Sequence, residues 1–130
     1  MPLKSLTPEQ TSKVYNLDKE TLFDILYQAL VMGGIPISQV DKITGTIISE
    51  YIPMNTKELY KYSGFSLWAD NSRGKLTIIV KELNQNQTKL IIGFYIESYW
   101  TRFDGQWHIH QSNGKFEKEI FDAIEKKFNK

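Results

Sequence analysis

The spacing of apolar residues predicts an amphipathic helix near the start of the chain. Between residues 22 and 30, apolar side chains recur at intervals of three and four, which places them on one broad helical face. Asp18 precedes this stretch, and its carboxylate can accept the free N–H groups of a first helical turn. Gly33 and Gly34 follow it and can end a helix without steric cost. The sequence therefore predicts a helix over residues 19–32.

Alternation of β-branched and polar residues predicts two strands after this helix. They cover residues 35–40 and 43–51, with a turn at Asp41 and Lys42 between them. Asp41 is expected to shape the turn through hydrogen bonds to the backbone rather than to serve in a site. Gly45 within the second strand indicates a bulge, or a place where another backbone or a helix packs closely.

The middle of the chain predicts a meander of three strands. The strands cover residues 64–69, 75–83 and 88–101, and polar turns at 70–74 and 84–87 connect them. Strands joined by such short turns run antiparallel. The residues expected in the core on alternate positions of the last two strands are Leu76, Ile78, Val80, Leu90, Ile92, Phe94 and Ile96.

The remaining segments complete the predicted fold. Residues 1–12 are predicted to be a flexible lead-in, and residues 13–130 a single domain. Further expectations are a short first strand at 12–16, a loop at 53–58, a strand approach at Tyr60 and Tyr62, a turn at 103–106, an extended segment at 107–110 and a final helix at 115–129. The order β-α-β-β-β-β-β-α indicates an α+β fold with both helices on one face of an antiparallel sheet, a helix-grip arrangement.

Composition narrows the classes of function. The net charge of +1 is spread along the chain, so the sequence lacks the electrostatic footprint of a nucleic-acid-binding protein. Without cysteine, the chain has no disulfide, thiol nucleophile or zinc–thiolate site. No apolar run is long enough to span a bilayer. Phosphate-binding, Ser/His/Asp and H-E-x-x-H motifs are also missing from the sequence, so no cofactor is predicted.

His108 and His110 are the candidates for metal or acid–base chemistry. Two residues apart in a strand, they point the same way, a spacing that can hold zinc or copper. Asp104 is the one further ligand nearby in the sequence, and no nucleophile or paired carboxylate accompanies the pair. We therefore favour a solvated or interface pair over a metal site.

Aromatic residues supply the candidate binding surface. By strand alternation, Trp68, Tyr95 and Tyr99 fall on the side opposite the expected core, together with Ile79 and Ile91. Exposed contiguous apolar surface marks a partner site, and Trp and Tyr are favoured anchors there. The sequence therefore predicts a binding surface at Trp68, Tyr95, Tyr99 and Ile79.

Two other arrangements of the aromatic residues remain open. A loop or the N-terminal segment can cover the patch, or Trp100 and Trp107 can fold over it. A helix-grip sheet can also open an apolar cavity beneath the C-terminal helix, which would make the protein a small-ligand carrier. The residues that would line such a cavity are Phe94, Ile96, Phe116 and Ile120.

The run from Val40 to Ile47, after a helix that ends in Gly33-Gly34 and a strand, resembles small bacterial envelope lipoprotein domains. It is similar to the helix-grip domain of the outer-membrane assembly lipoprotein BamC and of related lipoproteins. The likeness extends over about residues 12–128. It implies a non-enzymatic accessory domain that binds another protein on the periplasmic side of the cell envelope and is tethered there through an N-terminal lipidated cysteine; these 130 residues contain no cysteine. It supplies no catalytic residues.

Three functions are thus set against one another. The first is a protein-interaction or accessory module of the bacterial cell envelope, with a cytoplasmic location as the alternative. The second is the carrier of a small apolar ligand. The third, and least favoured, is an enzyme or metal protein that uses His108 and His110.

Overall fold

The computed structural model describes residues 6–65, 69–101 and 104–128. These residues form an α+β fold with one seven-stranded antiparallel sheet and four helices. In chain order the elements are α1 (Pro8–Thr11), β1 (Ser12–Tyr15), α2 (Lys19–Met32), β2 (Ile37–Asp41), β3 (Thr46–Ser49), β4 (Ile52–Met54), α3 (Thr56–Ser63), β5 (Asn71–Asn84), β6 (Gln87–Trp100), β7 (Gln106–His110) and α4 (Lys115–Phe128). The predicted α+β class is confirmed, whereas the helix-grip label stays a prediction.

A long hairpin of β5 and β6 forms the centre of the sheet. Its register runs from Asn71 opposite Tyr99 to Asn84 opposite Gln87, which confirms the turn predicted at 84–87. Beyond β5 lie β3 and then β2, while β1 pairs with β6. The short strands β4 and β7 pair with the other ends of β5 and β6. Since β5 occupies one side of β6 along its length, β1 and β7 share the opposite side of that strand.

One face of the sheet carries the hydrophobic core. Leu22 and Leu26 of α2 and Ile124 of α4 are fully buried, and both helices contact the β5–β6 hairpin. Burying apolar side chains between helices and a sheet is the main source of stability in such a fold. The core positions predicted from strand alternation are all buried: Leu76, Ile78, Val80, Leu90, Ile92, Phe94 and Ile96.

Helix α2 has the predicted limits. The Asp18 carboxylate accepts a hydrogen bond from the backbone N–H of Thr21 at 3.2 Å and from its hydroxyl at 2.6 Å. These bonds lower the pKa of Asp18. At the other end, the N–H of Gly33 donates to the carbonyl of Ala29. The N-cap and the Gly-Gly stop thus define the helix as the sequence predicts.

The turn between β2 and β3 confirms two predictions about single residues. An Asp41 carboxylate oxygen accepts the backbone N–H groups of Ile43 at 3.0 Å and Thr44 at 3.2 Å, so Asp41 shapes the turn. Gly45 lies in this turn rather than in the predicted strand, with φ +77°. Its carbonyl accepts the Val80 N–H at 2.7 Å, and an added Cβ would stand 2.2 Å from the Val80 carbonyl oxygen. The expected close approach of another backbone is therefore present.

Helix α3 overturns the loop predicted at 53–58 and the strand approach at Tyr60 and Tyr62. Asn55 accepts the Glu58 N–H at 2.8 Å, and the Glu58 carboxylate accepts the Asn55 N–H at 3.0 Å. This reciprocal capping box starts the helix. Leu59 and Tyr62, three residues apart, are its buried residues, so the spacing is helical and the alternation of Tyr60 and Tyr62 was misleading.

The strand predicted at 64–69 and the turn at 70–74 are also wrong. Gly64, Phe65 and Ala69 lie outside any strand, and the predicted binding residue Trp68 lies outside the described residues. Strand β5 already begins at Asn71, because β4 and the end of β6 pair with residues 71–74. The turn-forming composition of this segment was overridden by pairing partners that are distant in sequence.

The N-terminal region contains more structure than a flexible lead-in. Residues 8–11 form α1, whose cap is a capping box between Thr7 and Gln10. Helix α1 contacts α4 and β6. Among the helices of the described residues, none has both the length and the apolar character that a membrane crossing requires.

Candidate functional site

The sheet surface opposite the helices is the candidate site, and we call it the outer face. Strand alternation places every second residue of the central hairpin on it. These residues are Arg73, Lys75, Thr77, Ile79 and Lys81 of β5 and Lys89, Ile91, Gly93, Tyr95, Glu97 and Tyr99 of β6. Trp107 and Ile109 of β7 extend the outer face, since they pair with Tyr99 and Glu97.

The predicted binding residues that the structure describes share the outer face. Ile79 is 40% exposed and Tyr95 is 42% exposed, while Tyr99 is partly buried. Ile79 stands opposite Ile91 in the hairpin, and Tyr95 stands opposite Lys75. The sequence thus placed three of its four predicted residues on one surface, where they remain available for contact.

Arg73 is the centre of an aromatic cluster on this surface. Its guanidinium carbon lies 3.9 Å from the ring centroid of Tyr51 and 3.7 Å from that of Trp107. The guanidinium also forms an ion pair with Glu97 through Nε. Stacking a delocalised cation between two ring faces is favourable, and arginine suits this role better than lysine. We call Tyr51, Arg73, Glu97 and Trp107 the arginine cluster.

Glu97 is 6% exposed although it projects from the side of the sheet that no described helix covers. Arg73 pairs with its carboxylate, and Tyr95 and Tyr99 lie two residues away on the same face of β6. Burial and then the Glu97 carboxylate raise the pKa of Tyr95. Within the cluster, the ion pair and the two ring contacts connect all four side chains through Arg73.

The two remaining tryptophans predicted as possible covers lie on opposite faces. Trp107 is 37% exposed and its ring lies 5.4 Å from that of Tyr99, so it enlarges the aromatic surface instead of closing it. Trp100 packs against the core, and its Nε1 donates to the Ser98 hydroxyl at 2.8 Å.

Sequence reasoning missed Arg73, Glu97 and Tyr51 as members of the site. The strand was predicted to begin at residue 75, which left Arg73 in a turn. Starting the alternation at Asn71 would have paired Arg73 with Glu97 on one face. The contact with Tyr51 depends on the loop between β3 and β4, and no local sequence pattern predicts this contact.

His108 and His110 lie on the core side of β7 rather than on the outer face, since they pair with Ser98 and Ile96. His108 Nε2 lies 2.8 Å from an Asp104 carboxylate oxygen. Burial and then the nearby His108 lower the pKa of His110. Among the described residues, no group of three or more potential ligands is placed to hold a metal ion.

The Ser98 hydroxyl lies 2.5 Å from His110 Nε2 in a setting unsuited to nucleophilic attack. Ser98 is fully buried, and its oxygen already accepts the Trp100 N–H. The same oxygen lies within hydrogen-bonding distance of His110 Nε2, and which of the two groups donates depends on the imidazole tautomer. This polar group joins β6 to β7 inside the fold.

The residues predicted to line a ligand cavity pack as part of the core. The rings of Phe94 and Phe116 stack with centroids 3.8 Å apart, and Tyr62 meets Phe116 edge-on at 5.1 Å. Ile96 and Ile120 are buried in the same cluster. These contacts lend no support to a carrier function, which stays a prediction.

Comparison of the chain with protein-family models found no match, and comparison with curated protein sequences found none either. A function must therefore be inferred from the site itself. The outer face presents aromatic rings, aliphatic side chains and lysines on a β-sheet.

Proposed function

We propose that this domain is a protein-interaction module that docks onto another protein through its outer face. The carrying observation is the contrast between the two sheet surfaces: helices cover the core face, whereas aromatic and aliphatic side chains of the outer face remain exposed. Exposed aromatic and aliphatic side chains gathered on one sheet face are typical of a partner site. Tyr, Trp and Arg are also the residue types that dominate binding energy at interfaces.

The arginine cluster supports this proposal. Tyr51 and Trp107 are held against Arg73, which is itself paired with the buried Glu97. Side chains that are already ordered lose less conformational entropy when a partner binds. The cluster thus provides anchors whose positions are set before contact.

We further propose that the partner belongs to the bacterial cell envelope. This part of the proposal is supported by the resemblance of residues 40–47 and the preceding helix to envelope lipoprotein domains. An accessory role alongside a larger assembly follows from that resemblance and from the uncovered sheet face.

The test is partner capture from an envelope extract and a cytosolic extract with matched variants. Ile79→Ser alters the outer face, and Ile43→Ser makes the same change at the turn between β2 and β3, where Ile43 is 89% exposed. Both variants should keep the far-UV circular dichroism spectrum of the wild type. We expect one protein from the envelope extract to bind wild type and Ile43→Ser but not Ile79→Ser.

Equal capture by all three forms would contradict docking through the outer face. Capture with the same pattern from the cytosolic extract alone would leave the docking function standing and refute the envelope location.

A further inference from the structure

Gly93 is a glycine that the fold does not require. It lies in the middle of β6 on the outer face, is exposed, and has no positive φ. A Cβ added there would meet only the Thr77 carbonyl oxygen, at 3.8 Å, which is ordinary van der Waals contact. Glycine within a strand is less stable than alanine, so its presence calls for another reason.

Gly74, in the neighbouring strand β5, provides the comparison, because its surroundings leave no room for a side chain. A Cβ at Gly74 would stand 2.4 Å from Cζ of Phe94, whose ring lies over the glycine on the core face. A side chain at Gly74 would therefore force the Phe94 ring to move, whereas one at Gly93 would make only ordinary contact. A glycine that is not needed for folding, on an exposed sheet surface, is typical of a place where another backbone approaches closely.

The missing side chain leaves a notch across the outer face. Gly93 stands opposite Thr77, and this pair lies between Ile79–Ile91 on one side and Lys75–Tyr95 on the other. The two flanking pairs are four residues apart along the strands, or about 13 Å, which leaves room for one extended chain. We call the space over Thr77 and Gly93 the Gly93 notch.

The notch opens at the side of the sheet. β1 pairs with β6 through Ile91, and β7 pairs with β6 from Ile96 onward. Residues 92–95 lie in the interval between those two short strands. A chain crossing the outer face at the notch can therefore leave the sheet between β1 and β7.

Lysines lie on both sides of the notch at different distances. Lys75 belongs to the pair that borders it on one side, and Lys81 and Lys89 face each other in the next pair beyond Ile79–Ile91 on the other. Like charges facing each other across two strands are destabilising. Among the described residues, no carboxylate forms an ion pair with these three lysines, and Glu97 is paired with Arg73. The charge around the notch is therefore complementary to an anionic partner.

We infer that an extended acidic segment of the partner protein crosses the outer face at the Gly93 notch, with its carboxylates beside Lys75, Lys81 and Lys89. This inference depends on the proposed docking function and adds the chemistry of the docked segment. Ile79, Ile91 and Tyr95 provide apolar contacts along its path.

The test uses the random copolymer poly(Glu,Tyr) as a probe, with ¹⁵N–¹H chemical shifts of the wild-type protein as the readout. We expect shifts concentrated in residues 75–81 and 89–95. Gly93→Thr fills the notch and should weaken binding by about tenfold or more. Lys89→Gln should weaken probe binding and reduce its salt dependence, whereas the same change at Lys57, an exposed residue of α3, should do neither.

Stability separates this reading from a structural role of the glycine. Gly93→Ala should raise Tm by about 2–5 °C, because alanine restricts the unfolded chain more than glycine does. A Gly93→Ala variant with a Tm well below that of the wild type would show that the fold needs the glycine and would overturn the inference.

Two binding results would also overturn it. One is unchanged probe binding by a stable Gly93→Thr variant. The other is the same shifts produced by a single-stranded oligonucleotide but not by the copolymer. If a captured partner depends on Ile79 but not on Gly93 or Lys89, the docking function stands and the acidic-segment inference fails. If it depends on none of them, the proposed function fails as well.

Discussion

Removing the guanidinium of Arg73 gives the sharpest test of the arginine cluster. Arg73→Met keeps most of the aliphatic stem but leaves the Glu97 carboxylate, whose side chain is 8% exposed, without its cation. Removing one partner of a fully buried ion pair costs about 3–5 kcal/mol of stability. Because the Arg73 side chain is 29% exposed, we expect a smaller cost for this ion pair, about 2–3 kcal/mol.

The two ring contacts add to that cost. The guanidinium carbon lies 3.9 Å from the Tyr51 centroid and 3.7 Å from the Trp107 centroid, and each contact contributes about 0.5–1 kcal/mol. We therefore expect Arg73→Met to lower the free energy of unfolding by about 3–5 kcal/mol. A domain whose stability lies near the middle of the typical range of about 5–15 kcal/mol should remain folded in buffer after this loss.

A double-mutant cycle measured by urea unfolding checks this reasoning. Glu97→Gln removes the buried charge, so Arg73→Met should cost less in that background, with a coupling energy of about 2 kcal/mol. Additive effects, or an Arg73→Met variant within about 0.5 kcal/mol of wild type, would mean that the pair is solvated and that the cluster is not a stable feature of the surface.

Two further predictions concern the turn glycine and the buried histidine. Gly45→Ala places a methyl group against the Val80 carbonyl at a positive φ, so it should lower the free energy of unfolding in urea by at least about 2 kcal/mol. Gly34→Ala is the control, because Gly34 has a similar φ but no atom within 4 Å of the added Cβ, and it should cost less. Equal losses in the two variants would contradict the close contact at Gly45. Because burial lowers the pKa of His110, the unfolded chain binds this proton more readily, so the stability contribution of neutral His110 is complete above about pH 6.5 and is lost as the pH falls toward the folded pKa. Between about pH 7.5 and 5.5, the wild type should therefore lose more Tm than His110→Gln, and parallel losses would refute this assignment.

Local signals explain which elements were predictable. Helix α2 has an N-cap at Asp18, a helical stripe and a glycine stop, all within sixteen residues of sequence, Asp18 to Gly33. The turn at 84–87 follows from turn-forming residues between two alternating runs. In these segments, propensity and tertiary packing favour the same structure, so the sequence alone was sufficient.

The errors arose where local and long-range signals disagree. Asn55 and Glu58 carry the capping box that starts α3, a signal that could have outweighed the alternation of Tyr60 and Tyr62. The start of β5 offered no such cue. Its first residues have the composition of a turn, and their strand conformation depends on β4 and the far end of β6.

In the candidate site too, some features are predictable from local sequence patterns and others depend on long-range contacts. Strand alternation alone predicts that Ile79, Tyr95 and Tyr99 share a surface. The arginine cluster requires Arg73 to meet Tyr51, in the loop between β3 and β4, and Trp107, in β7. Such a contact becomes predictable only after the register of β5 against β6 and of β7 against β6 is known.

Residues of the outer face therefore contribute differently to stability and to binding, and mutations should distinguish these contributions. Glu97 is buried on the open side of the sheet only because its neighbours shield it, so loss of Arg73 should reduce both stability and partner binding. Ile79 is exposed and belongs to no such network, so Ile79→Ser should reduce binding with little change in stability. Gly93 should show the opposite sign in the two measurements, because a side chain there favours the strand and fills the notch. A surface that served only to cover the sheet would not give these three patterns.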